Sequence, residues 1–238
     1  MSYDLTSKRV LITAASRGIG KATAAAFQSA GAKVAICARN EIQLLETKMH
    51  LETLGNQSVL AKVADLSIPE DINQLVDFVE SDFGGIDILV NNSGGPPPGT
   101  HEQIDDEQWS KAFEATLCSS IRITNRVLPR MKNKGSGRII NLSSYSVKQP
   151  MSSMMLSNSI RLAALGWSKT LSNELARFNI LVNTICTGWT KTNRVEELLE
   201  NRAIEQDTTN AEIEKAITSS IPLGRMAIPE EIASVVLF

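Results

Sequence analysis

The stretch TAASRGIG at 13–20 joins an apolar run to an alanine-rich segment of helical periodicity. Gly18 and Gly20 allow backbone to come close to a bound group. A helix starting there offers free N–H donors and the positive end of its dipole, which suits a pyrophosphate. A plain strand-to-helix turn is the alternative reading of the same residues. The second apolar run ends at Ala38 and Arg39, where a carboxylate would accept from a ribose 2′-hydroxyl. With Arg17 in the glycine loop, Arg39 supplies two guanidinium groups and no acid, which suits a 2′-phosphate. Two solvated surface arginines are the alternative.

The elements that must position these residues alternate along the whole chain. Strands are expected at 8–14, 33–38, 58–64, 86–91, 137–142 and 180–186. Helices are expected at 19–30, 41–54, 69–83, 105–132 (bent at Pro129), 154–177 and 194–219, with a last one beginning at Pro229. Near-continuous apolar strands separated by helices predict an α/β, doubly wound parallel sheet covered on both faces, a Rossmann fold. No linker or repeat divides residues 1–238, so one domain is expected. Ligands in such sheets bind beyond the carboxyl ends of the strands, at the loops near 14–20, 38–40, 65–66, 91–100, 143–150 and 187–194.

Composition narrows the functional classes. The 238 residues are 42% hydrophobic and 21% charged, with 24 Lys+Arg against 26 Asp+Glu and a formal net charge of −2. No global basic field marks a nucleic-acid binder. Cys37, Cys118 and Cys186 are odd in number and far apart, so no metal site or disulfide framework is expected, and reduced, mostly buried thiols in a cytoplasmic protein are the simplest reading. The polar start at 1–9 has no apolar signal core, and no apolar run is long enough for a membrane span.

The segments TAASRGIG, Asp65-Leu66, Asn91-Asn92-Ser93-Gly94, GRIINLSS at 137–144, Thr187-Gly188 with Thr192, and IPLGRMAIPEEIASVVLF at 221–238 together resemble the short-chain dehydrogenase/reductase family over essentially the whole length. Within it the pattern is most similar to 3-oxoacyl-acyl-carrier-protein reductases. The resemblance implies NADP(H), given Arg17 and Arg39, and a small-molecule carbonyl or alcohol substrate. It places Thr13, Ser16, Arg17, Gly18, Ile19, Gly20, Arg39, Asp65, Leu66, Asn91, Ser93, Gly94, Arg161, Gly188 and Thr192 around the cofactor. Asp65 is expected at the adenine, Asn91 near the ribose and Thr192 near the carboxamide. The helices at 105–132 and 154–177 are the family's dimer faces, so a homodimer or homotetramer is expected.

The catalytic end departs from the family pattern of Asn, Ser, Tyr and Lys. Ser144 matches the serine that polarises the carbonyl. The tyrosine position is Ser157, the lysine position is Arg161 and the asparagine position is Thr116. Ser157 and Arg161 keep the i, i+4 spacing and share a helix face. Arg161 can still donate to ribose hydroxyls, but a guanidinium does not shuttle protons near neutral pH, and a serine hydroxyl is a poor general acid. No Tyr-x-x-x-Lys occurs, and the tyrosines are Tyr3 and Tyr145. Tyr145, Lys148 and His101 are the substitutes to weigh, while His50 reads as a surface residue. Ala14 replaces the family's first loop glycine, tolerable where φ is negative. Thr187 replaces a proline. The family continues past Phe238 into a seventh strand and tail; an incomplete chain and a missing strand are both open readings.

Other features have bland explanations. Arg126, Arg130, Lys132 and Lys134 suit a helix C-terminus, with an acidic carrier protein as the sharper reading. Pro96 to Pro98 read as a stiff loop. The charged 194–215 segment reads as a substrate flap or an ordinary solvated helix. Three functions follow. The first is an NADP(H)-dependent oxidoreductase. The second is an NADP(H)-binding sensor or partner subunit without turnover. The third is another reaction in which Ser144, Ser157 and Arg161 bind an anionic group.

Overall fold

The structure, a computed structural model, describes residues 4–238. Part of the polar start at 1–9 therefore lies outside the described residues. The strands are β1 (Arg9–Ile12), β2 (Lys33–Ala38), β3 (Leu60–Val63), β4 (Ile88–Asn91), β5 (Gly137–Ser144) and β6 (Ile180–Thr187). They form one parallel sheet of six strands in the order β3-β2-β1-β4-β5-β6. Val10 pairs with Val34 on one side and Ile88 on the other. The order reverses between β1 and β4, so the crevice at their carboxyl ends is where a ligand is expected. The doubly wound expectation is met.

Nine α-helices are described. They are α1 (Gly18–Ser29), α2 (Glu41–Glu52), α3 (Pro69–Phe83), α4 (Asp106–Phe113), α5 (Ser119–Lys134), α6 (Met155–Leu175), α7 (Asn193–Glu205), α8 (Asn210–Ser219) and α9 (Pro229–Leu237). On one face of the sheet Ile72, Leu75 and Val79 of α3, Ile123 and Val127 of α5, and Leu171 and Leu175 of α6 pack on Leu11, Leu89 and Ile139. On the other, Phe27 of α1, Leu44 and Leu51 of α2 and Val236 of α9 cover Val10, Ile36 and Val90. Both faces of the central strands are dry, which is why their sequences are apolar without alternation.

Two expected helices are divided. The one read at 105–132 is interrupted by a π turn at Glu114–Cys118 and then continues past Pro129 to Lys134. Pro129 lies inside α5, where Val127, Leu128 and Met131 are buried around it, and core packing compensates for the one backbone donor that proline lacks. The one read at 194–219 is α7 and α8. The chain turns at Asp207, whose φ is 49°, and Thr209 with Glu212 caps the new start. Its core face is stronger than expected, because Leu199, Ala203, Ile213, Ile217 and Met226 form their own buried cluster. Of the thiols, Cys37 is buried and pushed up to about 12 by burial, whereas Cys118 and Cys186 are only part-buried. That corrects the expectation of mostly buried cysteines. Among the described residues, no helix is long and apolar enough to cross a membrane.

Candidate active site

The chain leaves β1 at Ile12 and turns into α1. Arg17 occupies the N-cap in an extended conformation, with no side-chain cap and no acid in the first turn. The first N–H groups of the helix are therefore available to an anion. Gly18 has φ 56°, and a Cβ there would stand 3.3 Å from Thr192 Cγ2. A Cβ on Gly20 would stand 2.6 Å from the Ala14 carbonyl oxygen and 2.9 Å from Ala15 Cα, so only glycine lets α1 begin this close to the loop. Ala14 has φ 46°, in the left-handed region. This corrects the expectation of a negative φ: the loop keeps its glycine conformation, and alanine there is strained.

Asn92 and Thr13 hold the loop. Asn92 Nδ2 donates to the Ala14 carbonyl at 3.0 Å. Thr13 Oγ1 donates to the Asn92 carbonyl at 2.6 Å and accepts from the Asn92 N–H at 2.8 Å. Asn92 was legible only as part of a motif. Asn91 is buried, and its Nδ2 donates to Asn141 Oδ1 at 2.8 Å and to Thr124 Oγ1 at 3.1 Å. Asn141 in turn donates to Ser168 at 2.9 Å, and Ser168 meets Thr184 at 2.8 Å. The side chains of Thr13 and Asn91 thus fix strand ends rather than project into the open crevice.

The other expected cofactor residues surround this end. Arg17 and Arg39 are exposed. Arg17 lies 3.6 Å from Glu197 of α7. Burial would raise the Asp65 carboxyl, but bonds from Ser67 N–H and Oγ at 2.9 and 2.7 Å, with the charge of Arg39, hold it below its ordinary value. The Ser16 carbonyl accepts from Thr47 Oγ1 at 2.8 Å. Ile19 packs on the core beneath α1 and Leu66 on the opposite one. Gly94 and Gly188 have nothing within 4 Å of an added Cβ, so the backbone there faces open space. Thr192 Oγ1 accepts from the Val195 N–H at 3.3 Å and caps α7.

At the end of β5, Ser144 Oγ accepts from the Ser146 N–H at 3.1 Å. Its acceptor side is partly used, leaving the hydroxyl proton free to donate to a carbonyl. Ser157 is buried on the first turns of α6, and Arg161 follows one turn later. Arg161 Nη1 donates to the Leu142 carbonyl at 3.4 Å. Burial pushes its guanidinium down to about 10, helped by the charge of Arg194, so it stays protonated at neutral pH. Thr116 is buried inside the π turn, and its carbonyl accepts from Ser120 Oγ at 3.1 Å. A cavity of about 20 Å³ lies beside Thr116 and Arg161, lined also by Asn91, Ser93 and Ser143. It has room for one water, and Asn91 Oδ1 and Ser143 Oγ are buried there without a protein partner. The uncapped helix start and the two glycines fit a bound dinucleotide.

The weighed substitutes fare unequally. His101 and Lys148 are exposed, while Tyr145 is part-buried in the 3-10 turn Tyr145–Val147 next to Ser144. Arg194 was missed, because its α7 reads as a solvated charged helix. Its Nη2 donates to the Pro96 carbonyl at 2.8 Å, and a Cβ on Gly95 would stand 3.5 Å from its Nε. The basic cluster takes its bland reading. Arg126 pairs with Asp77, Arg130 with Glu80 at 3.0 Å and Lys134 with Asp87 at 2.5 Å, while Lys132 sits 5.1 Å over the Phe178 ring.

Comparisons with known proteins agree with this geometry. The family model described as short chain dehydrogenase matches residues 8–203. The 3-oxoacyl-[acyl-carrier-protein] reductase of Vibrio cholerae is 32% identical over 99% of this chain and 90% of its own. L-sorbose reductase from Gluconobacter frateurii, solved with NADPH and L-sorbose, superposes with a TM-score of 0.94 at 30% identity, covering 100% of this chain and 91% of its own. An NADPH-bound short chain oxidoreductase from Pseudomonas aeruginosa, described as containing an atypical catalytic center, superposes with a TM-score of 0.89 at 27% identity, covering 99% and 90%.

Proposed function

The chain belongs to the short chain dehydrogenase family, and from that premise we propose that it is an NADP(H)-dependent oxidoreductase interconverting a small carbonyl compound and its alcohol, with 3-oxoacyl compounds the first class to try. The observation that carries this reading is the uncapped start of α1, flanked by Arg17 and Arg39 where no carboxylate stands to receive a 2′-hydroxyl. NADPH in the named structural relatives supports the same cofactor.

The first turn of α1 and the backbone at Gly18 hold the pyrophosphate, and Arg17 and Arg39 take the 2′-phosphate. Asp65 lies at the adenine end, and Ser93, Gly94, Gly188 and Thr192 line the nicotinamide end. When bound, the reduced nicotinamide supplies a hydride to the carbonyl carbon, the oxygen takes a proton, and an alcohol and the oxidised cofactor result. Ser144 donates to the carbonyl oxygen and holds the carbon in line for attack. A positioned donor of this kind contributes about 3 kcal/mol to the transition state. The Arg161 cation favours the developing negative charge. With Ser157, a poor general acid, in the tyrosine position, solvent water supplies the proton.

A second reading, an NADP(H)-binding protein with little or no turnover, is favoured by one observation: Ser157 and Arg161 stand where the family carries tyrosine and lysine. NADPH deuterated at C4, incubated with the protein and a panel of 3-oxoacyl thioesters and small ketones, separates the two. Deuterium on the carbinol carbon is the result expected of a reductase. Saturable NADPH binding with no transfer to any carbonyl would overturn turnover and leave the second reading. A cytoplasmic homodimer or homotetramer is proposed alongside, with Phe113 of α4 and Leu162 of α6, 45% and 53% exposed, on the associating face.

A further inference from the structure

The two arginines proposed for the 2′-phosphate differ in their surroundings. Among the described residues Arg39 is in no ion pair. Arg17 faces a carboxylate: its Nη1 is 3.6 Å from Glu197 Oε1 on α7. The other oxygen of that carboxylate, Oε2, is 3.4 Å from Arg194 Nη1. Arg194 places its second nitrogen, Nη2, on the Pro96 carbonyl at 2.8 Å. The run Arg17, Glu197, Arg194 and Pro96 therefore joins the start of α1 to the loop after β4 by way of α7. The backbone is close at the same place, since a Cβ on Gly18 would stand 3.3 Å from Thr192 Cγ2.

The element carrying Glu197 packs largely on itself. Leu199 and Ala203 of α7 meet Ile213 and Ile217 of α8 and Met226 in a cluster separate from the two sheet cores. Nearby cations are engaged locally: Lys191 pairs with Glu214 at 3.3 Å, and Arg202 lies 5.2 Å over the Trp189 ring. Among the described residues, Arg17–Glu197 is the one ion pair between α7 and the start of α1. Its side chains are 54% and 47% exposed. A solvated pair at this distance is weak, and a phosphate dianion offers the guanidinium shorter, charge-assisted bonds. If Arg17 turns to that phosphate, Glu197 is not stranded, because Arg194 already stands at its other oxygen.

Resting on the NADP(H) reading for its ligand, we infer that Glu197 is a positioning residue that tunes cofactor choice by competing with the 2′-phosphate for Arg17. One carboxylate then has two arrangements. Without a 2′-phosphate it bridges Arg17 and Arg194; with one bound it pairs with Arg194 alone. The competition lowers affinity for NADP(H) and leaves NAD(H) untouched. It also gives Arg17 a partner to return to when the oxidised cofactor leaves. Glu196, the preceding residue, is exposed and in no ion pair among the described residues, so it carries the same charge without the contact.

The test titrates the full chain by calorimetry with NADPH, NADH, adenosine 2′,5′-bisphosphate and 5′-AMP, the last two differing only in the 2′-phosphate. Ionic strength is kept low, where the pair is least screened. Glu197→Gln is expected to tighten NADPH and the bisphosphate about two- to fivefold, the worth of an exposed ion pair, and to leave NADH and 5′-AMP unchanged. In an Arg17→Met background the same substitution is expected to have no effect, because the group through which Glu197 acts is gone; a charge acting only through space would still tighten both. Glu196→Gln is expected to leave all four affinities unchanged. An unchanged bisphosphate affinity in Glu197→Gln, an equal gain for 5′-AMP, an equal gain from Glu196→Gln, or a gain that persists in Arg17→Met would each overturn the inference while leaving the NADP(H) reading in place. Failure of NADPH and the bisphosphate to bind the wild type and every variant would overturn that reading and the inference with it.

Discussion

Ser144 and Ala14 act at the scale of single residues. The Ser146 N–H occupies one acceptor site of Ser144 Oγ, and its hydroxyl proton is free to donate. Ser144→Ala is expected to lower kcat by about 100- to 1,000-fold, the loss seen when one preorganised donor to a developing oxyanion is removed. NADPH affinity by fluorescence titration stays unchanged. Ala14 carries a left-handed backbone with φ 46°. Relief of about 1–2 kcal/mol of steric strain, less about 0.5–1 kcal/mol of added chain entropy, makes Ala14→Gly more stable by roughly 0.5–1 kcal/mol. Calorimetry should show a Tm rise of about 2 °C. The residue type at 14 was legible in the sequence but its φ was not, because the carbonyl bond from Asn92 that helps hold it comes from the loop after β4, far away in the chain. Ser157 and Arg161 were legible only through the family's spacing.

At the scale of elements, the start of α1 against the β1 and β4 loops sets the cofactor end. Gly20→Ala would drive a Cβ to within 2.6 Å of the Ala14 carbonyl and 2.9 Å of Ala15 Cα. Both are backbone, so the helix start must shift. The expected outcome is at least a tenfold rise in the NADPH Kd with far-UV circular dichroism retained, checked by nicotinamide fluorescence; unchanged affinity would mean that the helix start does not hold the pyrophosphate. The strands were legible because a sheet dry on both faces demands uninterrupted apolar runs, and α3 runs Pro69–Phe83 as read, with Pro in its first turn and Gly84 at φ 76° closing it. The π turn at Glu114–Cys118 was not legible. One extra residue in a helical turn leaves no mark on composition. The split between α7 and α8 depends on Asp207 adopting a positive φ, which an aspartate permits but does not announce.

At the scale of the molecule, the two ends of the sheet have separate tasks. The carboxyl end carries the proposed site, and the opposite end is tied by Asp87, whose carboxylate receives Arg9 Nε and Nη2 at 2.8 Å each and Lys134 Nζ at 2.5 Å. Burial would raise this carboxyl, yet those bonds hold it well below the usual carboxylate range. The unfolded-state value is about 3.9. A group depressed in the fold stabilises above the unfolded value and loses that contribution as pH falls below it. Asp87→Asn is therefore expected to cost about 1.5 kcal/mol at neutral pH by removing the charge-assisted bonds to part-buried Arg9 and exposed Lys134. Urea midpoints should decline less steeply below about pH 4 in the variant than in the wild type.

The account as a whole rests on NADP(H) at the start of α1, clasped by Arg17 and Arg39. Its most direct test is a titration of the purified protein with NADPH and with NADH, following nicotinamide fluorescence, repeated with Arg17→Ala/Arg39→Ala. The account predicts NADPH binding at least ~10-fold tighter than NADH, with the difference removed in the double variant, as expected when a charge-assisted clamp worth about 1.4 kcal/mol or more is lost. Equal affinity for the two cofactors, or no binding of either, would contradict it.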